Sequence, residues 1–176
     1  MLNPVVFIIP SIALTLVIIL FALQLKKIIA RNFFKRYIVL LIILAFLLNY
    51  AWEIVQIPLY TNAPVNIAHI AFCGLATVAD VVMVLLMYLI SALIFNDPLW
   101  IRKFSLPRFL FIFFIGGIGA IAAETRHLHL KTWAYTSYMP IIPVFHVGLS
   151  PVLQFMILPA CIFYLGFRKL KGYTMK

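Results

Sequence analysis

Five long apolar runs constrain this chain more than any other feature. They cover Pro4 to Leu25, Tyr37 to Pro58, Ala68 to Phe95, Phe109 to Glu124 and Ile141 to Phe167. A helix rises about 1.5 Å per residue, so about 20 apolar residues cross a hydrocarbon layer of about 30 Å. In water the same chain would have nowhere to hide its surface. The residues AVILMFWYC make up 66% of 176, and charged residues only 10%, against about half and about a quarter in soluble domains. One small core cannot bury that excess, and disordered chains are poor in apolar residues. The expected fold class is therefore all-α, a polytopic transmembrane bundle of about five spans, with residues 1–176 forming one domain. The third and fifth runs overshoot the hydrocarbon, which implies tilt or interfacial ends.

The chain holds 14 Lys+Arg and 4 Asp+Glu, a net charge of +10. In a soluble domain such an excess points to nucleic acid. Here its placement gives another meaning. Lys26, Lys27, Arg31, Lys35 and Arg36 follow the first run, Arg102, Lys103 and Arg108 the third, and Arg168, Lys169, Lys171 and Lys176 the fifth. With five crossings, all three clusters share one side, which the positive-inside rule makes cytoplasmic. The N-terminus is then outside and the C-terminus cytoplasmic. The expected partner is membrane lipid rather than nucleic acid, and the expected location is a bacterial inner membrane. The first run carries its positive residues after it, so it reads as an anchor rather than a cleaved signal peptide, with Pro10 expected to kink it. Cys73 and Cys161 fall at different depths and read as two small buried residues rather than a disulfide.

Ionisable groups inside a span cost several kcal/mol unless paired or hydrated, which makes the few present here informative. Glu53, Asp80, Glu124, His69 and His146 all fall in the outer half or near the midplane. His127 and His129 read as histidines of the following outer loop, and Asp97 belongs to a cytoplasmic turn. Helical spacing sorts the polar residues into stripes. Asn49, Glu53 and Gln56 share one face; His69, Cys73, Thr77 and Asp80 share a second; His146, Ser150 and Gln154 share a third. Polar stripes in lipid face the bundle interior, so a polar cavity opening to the outer face is expected. The candidate catalytic residues are Glu53, Asp80, Glu124, His69 and His146. The candidate substrate-binding residues are Asn49, Trp52, Gln56, Thr77, Trp133, Tyr135 and Gln154. For Asn49, Thr77, Ser150 and Gln154 the plainer reading is interhelical hydrogen bonding. In the fourth run, Gly116, Gly117, Gly119, Ala120 and Ala123 permit close helix packing, with a homo-oligomer through the Gly116–Ala123 face as a second reading. Trp133, Tyr135 and Tyr138, in the loop from Thr125 to Pro140, read as interfacial anchors or as a lid on the cavity.

Two strings stand out: Trp52-Glu53-Ile54-Val55-Gln56-Ile57-Pro58-Leu59-Tyr60, and Trp133-Ala134-Tyr135 leading to Met139-Pro140 and Pro143. Over roughly Asn49 to Pro159 they resemble a family of small multi-pass bacterial inner-membrane proteins, a likeness that carries no activity with it. Glu124, Trp133, Tyr135, Pro140 and Pro143 also resemble integral-membrane carotenoid enzymes of the lycopene-cyclase and carotenoid-hydratase types, although the Pro-x-Glu motif of the cyclases is absent. That resemblance implies a buried carboxylic acid protonating a polyprenoid double bond, with aromatic side chains stabilising the cation.

No Walker loop, dinucleotide glycine pattern, nucleophile elbow or His-Glu-x-x-His motif is present. The readings left open are an acid/base enzyme on a lipid or isoprenoid, a small-molecule or proton-coupled carrier, an accessory subunit, and a haem or pigment protein ligated by His69 and His146. Glu53, His69, Glu124 and His146 have the ligand types of a metal site. Cofactors are left unassigned, with neither metal nor haem favoured.

Overall fold

The computed structural model describes residues 8–61, 63–64 and 66–174. The main helices are α1 (Ile8–Lys27), α2 (Arg31–Gln56), α3 (Ile67–Ile94), α4 (Leu106–His129) and α5 (Leu149–Thr174). A 3-10 turn, Ile57–Leu59, extends α2, and a second, Trp100–Lys103, precedes α4. A small hairpin, β1 (Ile141–Ile142) and β2 (Val147–Gly148), precedes α5. All five helices are long and apolar enough to cross a membrane. The chain is a multi-pass membrane protein by this measure.

Two boundaries differ from the sequence reading. Helix α4 runs on to His129, so His127 and His129 belong to its last turn rather than to a loop. The chain breaks away only at Lys131, whose φ is 53°. The fifth helix starts at Leu149 rather than Ile141, because the front of that apolar run is a hairpin. Ile141 pairs with Gly148 and Ile142 with Val147. Pro140 and Pro143 cannot donate backbone hydrogen bonds, and β-branched Ile141, Ile142 and Val147 suit a strand. Pro151 sits in the first turn of α5, where a missing N–H costs nothing. Pro10 lies at the third described residue of α1, and the residues before Ile8 lie outside the described ones. The expected start at Pro4 and the basic Lys176 lie outside the described residues.

The most extensive helix pairings run α1 on α3, α3 on α2, α2 on α5 and α5 on α4, with α3 touching α4 and α5 more lightly. At the end carrying the basic clusters the core is aromatic. Tyr37, Tyr88, Trp100 and Phe163 are fully buried, and the Tyr37 hydroxyl donates to the Phe163 carbonyl at 2.9 Å. Outward faces present Ile12, Ile18, Ile43, Leu47, Phe72, Phe114 and Ile118, as surfaces in contact with lipid should.

Helix pairs in lipid associate by close fit rather than by expelling water. The α4–α5 pair follows this rule. A Cβ on Gly116 would run into the Phe155 carbonyl oxygen, and one on Gly117 would press on Met156 at 3.1 Å. Gly116, Gly117 and Ala120 are thus spent within the chain, while Gly119 and Ala123 face outward. Much of the face considered for a homo-oligomer is therefore covered by α5. Cys73 and Cys161 are both free, but Cys161 is exposed rather than buried.

Candidate functional site

At the end away from the basic clusters, the interior between α2, α3 and α5 is polar. Gln154 of α5 is the hub and is 1% exposed. Its Nε2 reaches Asn49 Oδ1 at 3.0 Å, Glu53 Oε1 at 3.4 Å and Asp80 Oδ2 at 3.5 Å. One amide nitrogen from α5 therefore stands against oxygens from α2 and α3. A primary amide has two hydrogens, so these three acceptors compete for them. Gln56 Nε2 donates to Glu53 Oε1 at 2.9 Å and reaches Gln154 Oε1 at 3.4 Å. Ser150 Oγ donates to Gln56 Oε1 at 3.0 Å and accepts from Trp52 Nε1 at 3.3 Å. The helical period produces this meeting, since residues four apart lie above one another on a single face.

Helix α4 contributes Glu124, 6% exposed. Its Oε2 accepts from Trp133 Nε1 at 3.3 Å and from the Tyr135 hydroxyl. These two donors belong to the segment after α4, which is laced to the exit of α2. Thr61 N donates to Ala134 O at 2.8 Å, Thr136 N to Leu59 O at 2.9 Å, and Thr136 Oγ1 to Pro58 O at 3.2 Å. Tyr60 and Tyr135 form an isolated antiparallel bridge. Tyr60 also meets Trp133 edge-on, and His127 stacks on Trp133 with ring centroids 4.0 Å apart. The result is an aromatic roof of Tyr60, Trp133 and Tyr135.

The roof feels the acids beneath it. Burial pushes the Tyr60 hydroxyl up from its ordinary range, and the fields of Glu124, Glu53 and Asp80 push it further. The Tyr135 hydroxyl is raised by burial and by its hydrogen bond to Glu124. Both therefore stay neutral and able to donate. Glu53 Oε1, Asp80 Oδ2 and Glu124 Oε2 are held by amides, an indole and a phenol rather than by cations. The second oxygen of each takes no hydrogen bond from a described residue. The described ion pair, Arg102 with Asp97 at 3.4 Å, lies at the opposite end.

Asn49, Trp52, Glu53, Gln56, Asp80 and Gln154 thus converge, and Glu124, Trp133 and Tyr135 close over them. Three candidates stand apart. His146 is exposed at the hairpin turn with φ 54°, because α5 begins after it and its expected helical stripe breaks there. His69 is half-buried in the first turn of α3 with its ring tilted on Phe72. Thr77 is buried but donates to its own helix at Cys73 O, 2.8 Å away. Among the described residues no group of three or more His, Cys, Asp or Glu could hold a metal ion. The Glu53, His69, Glu124 and His146 set does not assemble.

Sequence reasoning missed Tyr60 and the stacking role of His127, and it treated Ser150 as helix glue. Tyr60 closes the Trp52–Tyr60 string, which was the available signal. Compared with protein-family models, with curated proteins and with solved structures, the chain matches none.

Proposed function

We propose that this chain is a bacterial inner-membrane enzyme performing acid/base chemistry on a lipid or isoprenoid, held in a polar chamber that opens to the outer face. The observation that carries this reading is the meeting of Glu53 and Asp80, from two helices, on the single Gln154 amide nitrogen. Acids at depth in a membrane mark proton chemistry or transport. A carboxyl held by neutral donors keeps an oxygen for a proton that a salt bridge would otherwise occupy. In this reading Asp80 and Glu53 are the acid and base, one giving a proton to the substrate and the other removing one. Gln154 fixes their separation, with Gln56 and Ser150 locking its neighbours. Glu124 holds Trp133 and Tyr135 over the site, where with Tyr60 they offer ring faces to positive charge developing on an apolar substrate.

The test compares wild-type, Asp80→Asn and Glu53→Gln chains expressed at equal levels. Lipid and pigment extracts are profiled by mass spectrometry. Each variant is expected to lose at least one product and accumulate its precursor. Profiles identical to wild type overturn the enzyme reading.

The convergence of Glu53 and Asp80 on Gln154 also favours a second reading, a proton-coupled carrier in which buried acids pass protons inward. Substrate flux into proteoliposomes, abolished by Asp80→Asn with lipid profiles unchanged, would select it.

A further inference from the structure

The segment that follows α4 has an unusual composition. From Thr132 to Phe167 the chain contains no Asp, Glu, Lys or Arg, although residues up to Gly148 precede α5 and lie at the end of the bundle. Segments bathed in water seldom go so long without charge. This one instead exposes large apolar side chains. Tyr138 and Val144 are each 80% exposed, and Phe145 and Ile141 are also exposed.

The exposure is built into a defined turn. His146 N donates to Ile142 O at 2.8 Å, Phe145 N to Ile142 O at 3.3 Å, and Leu149 N to Pro140 O at 2.7 Å. The left-handed backbone of His146 completes the reversal. The inner side of the hairpin is anchored, with buried Val147 and part-buried Ile142 packed with Ala120 and Val152 of α4 and α5. No linker separates β2 from α5. The hairpin therefore sits at the end of two helices whose outward faces carry Phe114, Ile118 and Ile157, and its exposed tip is apolar as those faces are.

We propose that the β1–β2 tip, Val144 and Phe145, together with Tyr138, is seated in the boundary between headgroups and acyl chains at the outer face, with lipid as the occupant of this surface. The chemistry fits that depth. Tyr138 has an apolar ring and a polar tip, as interfacial aromatics do, and the turn brings no Asp, Glu, Lys or Arg to be desolvated, its ionisable group being the imidazole of His146. The segment that roofs the acids is then held from two sides, by α2 through residues 58–61 and by the lipid boundary through the hairpin. This inference is independent of the reaction proposed above.

The test uses the full chain in phosphatidylcholine/phosphatidylglycerol bilayers, with Cys73→Ala and Cys161→Ala removing the native thiols. Nitroxide labels are placed singly through Val144→Cys, Phe145→Cys, Ile118→Cys on a lipid-facing helix surface, and Lys131→Cys at an exposed polar site. Collision with oxygen and with a water-soluble nickel chelate reports depth. The oxygen-to-nickel ratio at 144 and 145 is expected to be several-fold higher than at 131 and closer to that at 118. A ratio at 144 and 145 equal to that at 131 overturns the proposal, whether water or a partner protein covers the tip. Photolabelling of the unsubstituted chain by a diazirine-bearing phospholipid gives a check free of mutations. Adducts within residues 138–145 support the proposal, and their absence where α4 is labelled overturns it.

Discussion

Two glutamines show how differently one residue type can be used inside this bundle. Gln24 of α1 is fully buried, and among the described residues neither its amide nitrogen nor its oxygen has a partner. Gln154 is equally buried and serves four oxygens and nitrogens of its neighbours. A buried polar group left unsatisfied costs about 1–3 kcal/mol. Gln24→Leu should therefore raise the melting temperature in detergent by a few degrees, while Gln154→Leu should lower it by a similar amount. A loss of stability in Gln24→Leu would mean that its amide is satisfied by something other than the described residues. The roof tyrosines carry a pH dependence whose sign follows from their raised hydroxyls. In an unfolded chain tyrosine ionises near pH 10, while Tyr60 and Tyr135 in the fold hold their protons beyond that. Their contribution is complete below about pH 10 and is lost as pH rises above it. Unfolding followed across that range should steepen in the wild type and be flatter in a Tyr60→Phe, Tyr135→Phe chain. Of these residues, those on α2 and α5 were legible. Asn49, Glu53, Gln56, Ser150 and Gln154 follow a period that fixes their face, and they meet. Tyr60 and His146 lie beyond helix ends, where no period applies, so one was overlooked and the other placed in a stripe that does not form.

At the scale of elements, hydropathy located the spans but could not tell a helix from a hairpin at a span's edge. The run from Ile141 is apolar throughout. What divides it is backbone chemistry, with Pro140 and Pro143 before the turn, Pro151 after it and strand-prone residues between. Transfer free energy is blind to which hydrogen bonds a segment makes, so the boundary moved by one hairpin. The glycines of α4 were likewise legible as packing residues, but their division between two faces was not. That division makes a sharp comparison. Gly116→Ala sets a methyl against the Phe155 carbonyl oxygen, a backbone atom that cannot step aside without moving α5. It should destabilise the chain by about 1–3 kcal/mol, the usual range for overpacking. Gly119→Ala meets nothing within 4 Å and should be neutral or stabilising by up to about 1 kcal/mol through helix propensity. Thermal unfolding of the two variants side by side checks both, and equal effects would contradict the α4–α5 packing described.

Across the whole molecule the two ends of the bundle are chemically unlike. One end has an aromatic core ringed by basic residues, where Asp97 pairs with Arg102 and Arg108 lies over the Phe95 ring. The other end holds Glu53, Asp80 and Glu124 under a roof of tyrosine and tryptophan. This polarity was legible because charge placement obeys membrane insertion, whereas the hydrogen bonds joining the acids depend on side chains from four separate segments. Orientation decides which compartment the acid site faces. If positive residues stay inside, a thiol placed at Lys35 or Lys103 should resist a membrane-impermeant maleimide in intact cells and react after permeabilisation. A thiol at Asn66 or Lys131, at the opposite end, should react in both. The reverse pattern would turn the bundle over, so that Glu53, Asp80 and Glu124 would lie towards the cytoplasmic leaflet.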